Sequence, residues 1–209
     1  MITISKRLIV TGVTGVLVGA ATILGIRFVT YQPPEETHYH ANMAVYINGQ
    51  REEFKAVDYY EETAATFCSI NESASENKPM TRTHMHGNVN DVVHVEDKLV
   101  TWGNFFTVLG WNVGPQYVAT RDAIYQSNET SKVTYMLNGK KVDDIANRVI
   151  GDQDKLLVSY GDQSTSDIQS EYDKIKNNAK EANESDDPAS CGSHHEDDTS
   201  LSARLKHLF

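Results

Sequence analysis

Five of the eight histidines in this chain fall in three short motifs that could together hold a metal ion. Each motif places two possible ligands two residues apart, and in a β-strand residues i and i+2 point to the same face of the sheet. The second and third motifs are separated by a short segment, so they can lie on adjacent strands and share one ligand face. The first motif completes the site if its strand is a neighbour. The predicted metal ligands are His38, His40, His84, His86, His94 and Glu96.

The ligand types indicate a transition metal, and we expect zinc or copper as the cofactor. Imidazole nitrogens with one carboxylate suit zinc, copper, iron or nickel, whereas Ca²⁺ and Mg²⁺ require more oxygen ligands. A nearby thioether would favour Cu(I), but Met85 alternates with His84 and His86 and therefore points to the other face of its strand. A closed set of four ligands would be structural, and three ligands with an open position would be catalytic.

The same residues allow interpretations without a dedicated metal site. Histidine pairs on strands can hydrogen-bond to neighbouring groups, and His94 with Glu96 can form a plain pair on one face. The segment with Cys191, His194 and His195 can also capture metal, and we expect such binding in the tail to be adventitious.

The segments around the motifs predict strands joined by tight turns. Residues 38–47 form an extended β-type run, and the Asn-Gly pair at 48–49 predicts a hairpin with a return strand over residues 50–57. A second Asn-Gly pair, at 138–139, follows a predicted strand over 132–137. Another strand is predicted over 154–160. Residues 83–96 are predicted to form a strand, a turn near 87–91, and a second strand.

One short helix is predicted to pack on this sheet. Trp102, Phe105, Phe106 and Leu109 recur at helical spacing, and their aromatic rings are expected in the core. The predicted fold class is therefore α+β: an N-terminal transmembrane helix, a β-rich mixed domain over residues 38–161, and a C-terminal helix followed by a disordered tail.

An uncharged run over residues 8–26 predicts the transmembrane helix, because at 1.5 Å per residue it spans roughly 28 Å. Lys6 and Arg7 precede it, so residues 1–7 are expected in the cytoplasm and the bulk of the chain outside, on a single-pass membrane protein. Residues 27–37 form a polar linker that begins the exported part, and the first histidine motif follows closely, which would hold any site near the membrane. The alternative is a cleaved signal peptide, for which 18–20 (Val-Gly-Ala) resembles a cleavage site.

Residues 162–209 are predicted to form an acidic tail. Ile168, Tyr172, Ile175 and Ala179 have the spacing of one amphipathic helix, and disorder is expected beyond Asn183. The formal net charge of −10 argues against nucleic acid as a partner, and the protein partner, if any, is unknown.

The two cysteines allow two interpretations. Outside the cytoplasm, oxidising surroundings favour a disulfide between Cys68 and Cys191. Alternatively, Cys68 and a histidine form a nucleophilic pair.

Together, the HxH motif, the Asn-Gly hairpin, the run HMHGNVNDVVHVE and the helix WGNFF resemble a family of small membrane-anchored bacterial and archaeal proteins. The closing run DPASC is similar to that of Saccharibacteria-like members. The resemblance covers about residues 1–192 and implies no particular activity. This chain has Gly87 where the family tends to have Asp after the second HxH, and Asp91 is a possible substitute. A weaker likeness to the cupin metal motif lacks the flanking glycines of that motif.

Three hypotheses for function follow. The first is a surface-exposed binding module that holds one zinc or copper ion for storage, delivery or stiffening. The second is a metal-dependent oxygenase or hydrolase with an open site. The third is a cell-surface interaction protein whose histidines only hydrogen-bond. The chain contains no GxSxG, P-loop or GxGxxG motif, and a binding module is favoured over an enzyme.

Overall fold

The computed structural model describes residues 6–32, 37–56, 59–60, 82–86, 89–185, 200–206 and 208. The chain divides into two compact units, which are described separately: residues 1–35 with 192–209, and residues 36–191. Cys68, Cys191, and residues 186–199 of the predicted tail lie outside the described residues, so the disulfide and the disorder remain predictions.

The first unit contains one long apolar helix, α1 (Lys6–Thr30), and the last helix of the chain, α5 (Leu201–Lys206). Within α1, the 20 residues Thr11–Thr30 have a mean hydropathy of 1.8 and are long enough to cross a membrane. A signal sequence shares this length and composition, so both interpretations made from the sequence fit α1.

The second unit is built on a mixed sheet with the strand order β3-β4-β1-β10-β8-β9, in which β2 also pairs with β1. The central strand β1 runs parallel to β10 and antiparallel to β4. A smaller antiparallel sheet has the order β5-β6-β7. The strands are β1 (Tyr39–Ile47), β2 (Gln50–Arg51), β3 (Thr83–His84), β4 (Val92–Val95), β5 (Asn112–Gly114), β6 (Tyr117–Ala119), β7 (Ile124–Gln126), β8 (Lys132–Leu137), β9 (Lys140–Val142) and β10 (Lys155–Gly161).

Both Asn-Gly pairs form the predicted hairpin turns, because Asn48, Gly49, Asn138 and Gly139 all have positive φ, as a type I′ turn requires. The return strand β2 is shorter than predicted. Glu52 still donates its backbone N–H to Val45 of β1 at 2.8 Å, but Phe54, at φ 43°, buries its ring in the core instead of continuing the strand.

One face of the main sheet carries the larger core. Helix α2 (Trp102–Val108) covers this face and buries Trp102, Phe105 and Phe106, at the spacing that the sequence predicts. Thr101 begins the helix with a capping box, in which its side chain accepts from the Asn104 backbone and the Asn104 side chain accepts from the Thr101 backbone. The odd-numbered residues of β1, including Met43 and Val45, lie in this core.

The opposite face is covered by two helices, α3 (Thr165–Asp173) and α4 (Asn178–Glu184), where the sequence predicts one. Helix α3 packs on β10, whereas α4 packs on β1 and β4, and the break between them lets the chain follow both contact regions. The apolar pattern itself is confirmed: Ile175 and Ala179 are buried, and Ile168 and Tyr172 pack against the second core cluster.

Candidate metal centre

Five histidines meet on the face of the sheet that α4 covers, at the end formed by β3, β4 and β1. The strand register pairs His84 with His94 and His94 with His40, so three imidazoles lie in a row across three neighbouring strands. His86 follows His84 by two residues and His38 precedes His40 by two, and two-residue spacing keeps a side chain on the same face of an extended chain. The five histidines of the three motifs thus lie together, whereas Glu96 belongs to neither group that they form.

The first three-histidine group, which we call the inner group, consists of His84, His86 and His94. Nε2 of His84 lies 2.8 Å from Nε2 of His86 and 3.0 Å from Nδ1 of His94, and the third side of this triangle, from Nε2 of His86 to Nδ1 of His94, is 2.7 Å. His84 and His94 are buried, and His86 is half-buried. Three ring nitrogens therefore converge on one point that is largely shielded from water.

The second three-histidine group, the outer group, consists of His38, His40 and His94. Each residue offers one nitrogen, and the three nitrogens lie within 4.8 Å of one another. Nε2 of His38 is 2.7 Å from Nε2 of His94, and the His40 ring stacks on the His94 ring with centroids 4.1 Å apart. His38 is exposed, so this group reaches the surface.

His94 belongs to both groups and directs its two ring nitrogens to different partners. Nδ1 faces the inner group and Nε2 faces the outer group. Burial lowers the pKa of His94 far below its ordinary value, and the neighbouring imidazoles lower it further. The ring is therefore neutral near pH 7, which is the form of histidine that binds metals.

Hydrogen bonds among the three imidazoles of the inner group cannot satisfy all three of the ring nitrogens that face one another. A neutral imidazole has one N–H that points in one direction, and a triangle of nitrogens offers corner angles of about 60°, far from the straight geometry that hydrogen bonds prefer. A cation above the triangle faces all three lone pairs. With metal–nitrogen bonds of about 2.0–2.1 Å, the observed separations correspond to N–metal–N angles of about 90°. The inner group could thus hold a metal ion and leave further positions open.

Helix α4 holds one of these imidazoles by a contact that sequence reasoning missed. Oδ1 of Asn183 accepts from the backbone N–H of His40 at 2.9 Å and lies 2.7 Å from Nδ1 of the same residue. Nδ2 of Asn183 donates to the carboxylate of Asp152 at 2.7 Å. The backbone donor identifies the atom beside it as oxygen, so Nδ1 of His40 carries the proton and donates it. Nε2 of His40 is then the ring nitrogen that carries the lone pair and could bind a metal.

A signal for Asn183 was present in the sequence. Ile175, Ala179 and Asn183 follow one another at intervals of four, so Asn183 continues an apolar helical stripe with a polar residue. Although Asn183 is exposed, its position in line with this stripe directs its amide toward the sheet that the helix covers. Its hydrogen-bond partner there belongs to a strand 143 residues earlier in the chain.

The remaining predicted participants lie elsewhere in the second unit. Glu96 follows the end of β4, half-buried, and belongs to neither three-histidine group. Met85 packs in the larger core, consistent with its expected direction away from the histidines. Asp91 contacts Arg51 at 3.6 Å and accepts from Asn178, so its carboxylate is engaged outside both groups.

Comparison of the chain with protein-family models, with curated proteins and with solved structures found no match.

Proposed function

We propose that this protein is a membrane-anchored metal-binding protein whose folded unit lies outside the cytoplasm and binds zinc or copper through the inner group. The observation that carries the proposal is the triangle of three ring nitrogens with sides of 2.7–3.0 Å in His84, His86 and His94. Neutral imidazoles resist protonation at such a buried place but readily donate lone pairs to a soft or borderline cation.

The donor set favours zinc or copper over the alkaline-earth ions. Both three-histidine groups supply only nitrogen, and nitrogen ligands place a site among the transition metals. Met43 and Met85 are buried in the larger core, so their thioethers are not part of the donor set. The remaining donors are imidazole nitrogens, which suit Zn²⁺ and Cu²⁺ alike.

The proposed location rests on α1. Its apolar stretch is long enough to span the bilayer, and the positive charges at Lys6 and Arg7 favour a cytoplasmic N-terminus. Metal storage, delivery or stiffening of the domain at the cell surface would all use the same centre.

Elemental analysis of the full-length chain in detergent micelles tests the proposal. The double variant His84→Ala/His86→Ala is compared with the matched control His194→Ala/His195→Ala, which also removes two imidazoles. We expect the wild type and the control to retain at least one zinc or copper ion per chain after dialysis, and the site variant to hold at least one ion fewer than the control. Because His84 is fully buried, the single variant His86→Ala, at a half-buried position, provides a second test with less risk to folding. Equal metal content in the site variants and the control would overturn the proposal.

A metal-dependent hydrolase is the second candidate, because a metal ion held by only the three imidazoles of the inner group would have coordination positions left for water. Three imidazoles holding Zn²⁺ would leave room for a water whose pKa falls to about 7, which makes a hydroxide nucleophile near neutral pH. Hydrolysis of an activated ester by the zinc-loaded chain, with a rate that rises through that pH and is lost in His86→Ala, would support this candidate. A rate equal to that of the metal-free protein would exclude it.

A further inference from the structure

We infer that His94 bridges two metal ions as an imidazolate, so that the centre is dinuclear: an inner ion on His84, His86 and Nδ1 of His94, and an outer ion on His38, His40 and Nε2 of His94. This inference rests on the proposed metal binding and extends it, because it specifies the number of ions and the role of one residue. The two three-histidine groups share His94 and no other residue.

The engagement of both nitrogens of the His94 ring is the first observation. Nδ1 lies 2.7 Å from His86 and 3.0 Å from His84, while Nε2, on the other side of the ring, lies 2.7 Å from His38. A terminal metal ligand uses one nitrogen and directs the other to an oxygen acceptor such as a carboxylate or carbonyl. Here Nε2 of His94 instead lies against Nε2 of His38, an imidazole nitrogen that is itself a metal ligand by type.

The second observation is the chain of hydrogen bonds that holds the His40 ring. Its Nδ1–H is held by Oδ1 of Asn183, and that amide is in turn oriented by Asp152. This chain of hydrogen bonds resembles the outer-shell support of a metal-bound histidine, which fixes the tautomer and the ring orientation. His40 is buried at 6% exposure and its ring stacks on His94, so the ring is held in place within the outer group.

The accessibility of the outer group gives the second ion an entry path. His38 is exposed, whereas His40 and His94 are buried beneath it. An ion arriving from solvent can therefore meet His38 first and then bind the two buried nitrogens. The inner ion, beneath more of the protein, would exchange more slowly.

The proton balance follows from the bonds that change. The inner ion binds the lone pair of Nδ1, which leaves the single ring proton of His94 on Nε2. The outer ion forms a bond to Nε2, the N–H bond breaks, and the proton passes to solvent. No electron is transferred. Two divalent ions about 6 Å apart, from two bonds of about 2.0–2.1 Å and the width of the ring, would share the negative charge of the imidazolate.

Copper titration tests the bridge, with the full-length His194→Ala/His195→Ala protein in detergent micelles as the reference so that the tail adds no sites. We expect two Cu²⁺ per chain and, at low temperature, a paramagnetic resonance signal far weaker than that of two isolated ions, because spins couple through an imidazolate. In the same background, His38→Ala/His40→Ala should bind one Cu²⁺ with a full signal. The single variant His38→Ala, at an exposed position, should also lose the outer ion and serves as the test if the double variant does not fold.

Different results would contradict the imidazolate bridge and the proposed metal binding. Binding of a single ion, unchanged by His38→Ala, would overturn the bridge while the proposed function stands. Two ions with uncoupled spins would also overturn the bridge, because the sites would then be independent. Binding of no ion would overturn the proposed function itself.

Discussion

Replacement of Asn183 by alanine should weaken the binding of the outer metal ion without removing a metal ligand. The side chain accepts the backbone N–H of His40 at 2.9 Å and its Nδ1–H at 2.7 Å, and it donates to Asp152 at 2.7 Å. The alanine variant removes all three hydrogen bonds. The His40 ring can then rotate and exchange tautomers, so Nε2 is no longer fixed as the nitrogen that carries the lone pair.

The size of the effect can be estimated from these contacts. Loss of an outer-shell hydrogen bond to a metal-bound histidine typically lowers metal affinity 10–100-fold, which equals about 1.4–2.7 kcal/mol for the outer ion. The metal-free protein should lose about 1–3 kcal/mol of unfolding free energy, because a partly buried backbone N–H is left without its acceptor. The affinity of the inner ion should stay within about threefold, or roughly 0.6 kcal/mol, because Asn183 hydrogen-bonds to His40, which is not a ligand of the inner ion.

The matched control is Asn178→Ala, a substitution of the same kind in the same helix. Asn178 donates to the two carboxylate oxygens of Asp91 at 3.3 Å and touches no histidine. Zinc affinities are measured by competition with a chelator, and stability by chemical denaturation with and without metal. Asn178→Ala should lower stability modestly and leave both zinc affinities unchanged. Equal zinc affinities in Asn183→Ala and Asn178→Ala, for both ions, would refute the assignment of Asn183 as a positioning residue.

Further predictions concern pH, packing and the N-terminus. Folding lowers the pKa of His94, so below about pH 6.5 the unfolded chain binds one proton that the folded chain does not. The metal-free protein should therefore lose up to about 1.4 kcal/mol of unfolding free energy per pH unit on acidification. Chemical denaturation at several pH values should show a weaker pH dependence of this free energy in His94→Gln. Burial raises the pKa of Glu171, so the stabilising contribution of its protonated form is lost as pH rises through that pKa, and Glu171→Gln should be more stable than wild type at pH 8; no gain at pH 8 would contradict this. A Cβ at Gly103 would lie 2.4 Å from the carbonyl oxygen of Ala146, so Gly103→Ala should cost about 1–3 kcal/mol, and an unchanged melting temperature would contradict that clash. N-terminal sequencing of the protein from membranes should find the chain intact before Ala20, whereas a new N-terminus just after Ala20 would show that the segment is a cleaved signal peptide.

Much of the local structure could be predicted because it depends on neighbouring residues. The two Asn-Gly pairs demand positive φ at adjacent positions, and both form hairpin turns. Trp102, Phe105 and Phe106 follow helical spacing, and they form the buried side of α2. The limits of this logic appear at Phe54, where burial of one aromatic ring ends a strand that local pattern would continue.

The clustering of the five histidines was predictable from the sequence, but their division into two groups and the position of Glu96 outside both were not. Two-residue spacing in extended segments placed the histidines of each motif on a common face, which is a property of strand geometry alone. The pairing of β1 with β4, which stacks His40 on His94, depends on the order of strands in the sheet. That order also decides that His94 lies between two groups of histidines.

The sequence alone determined the hairpin turns, the common face of each histidine pair and the long apolar helix. Each of these follows from local backbone conformation, which depends on residues close together in the chain. The tertiary structure decided which strands became neighbours and where α4 docked, and only this brought Asn183 to His40 across 143 residues of chain. The physical reason is that strand order and helix docking follow from burying both faces of one sheet, which is a property of the whole chain.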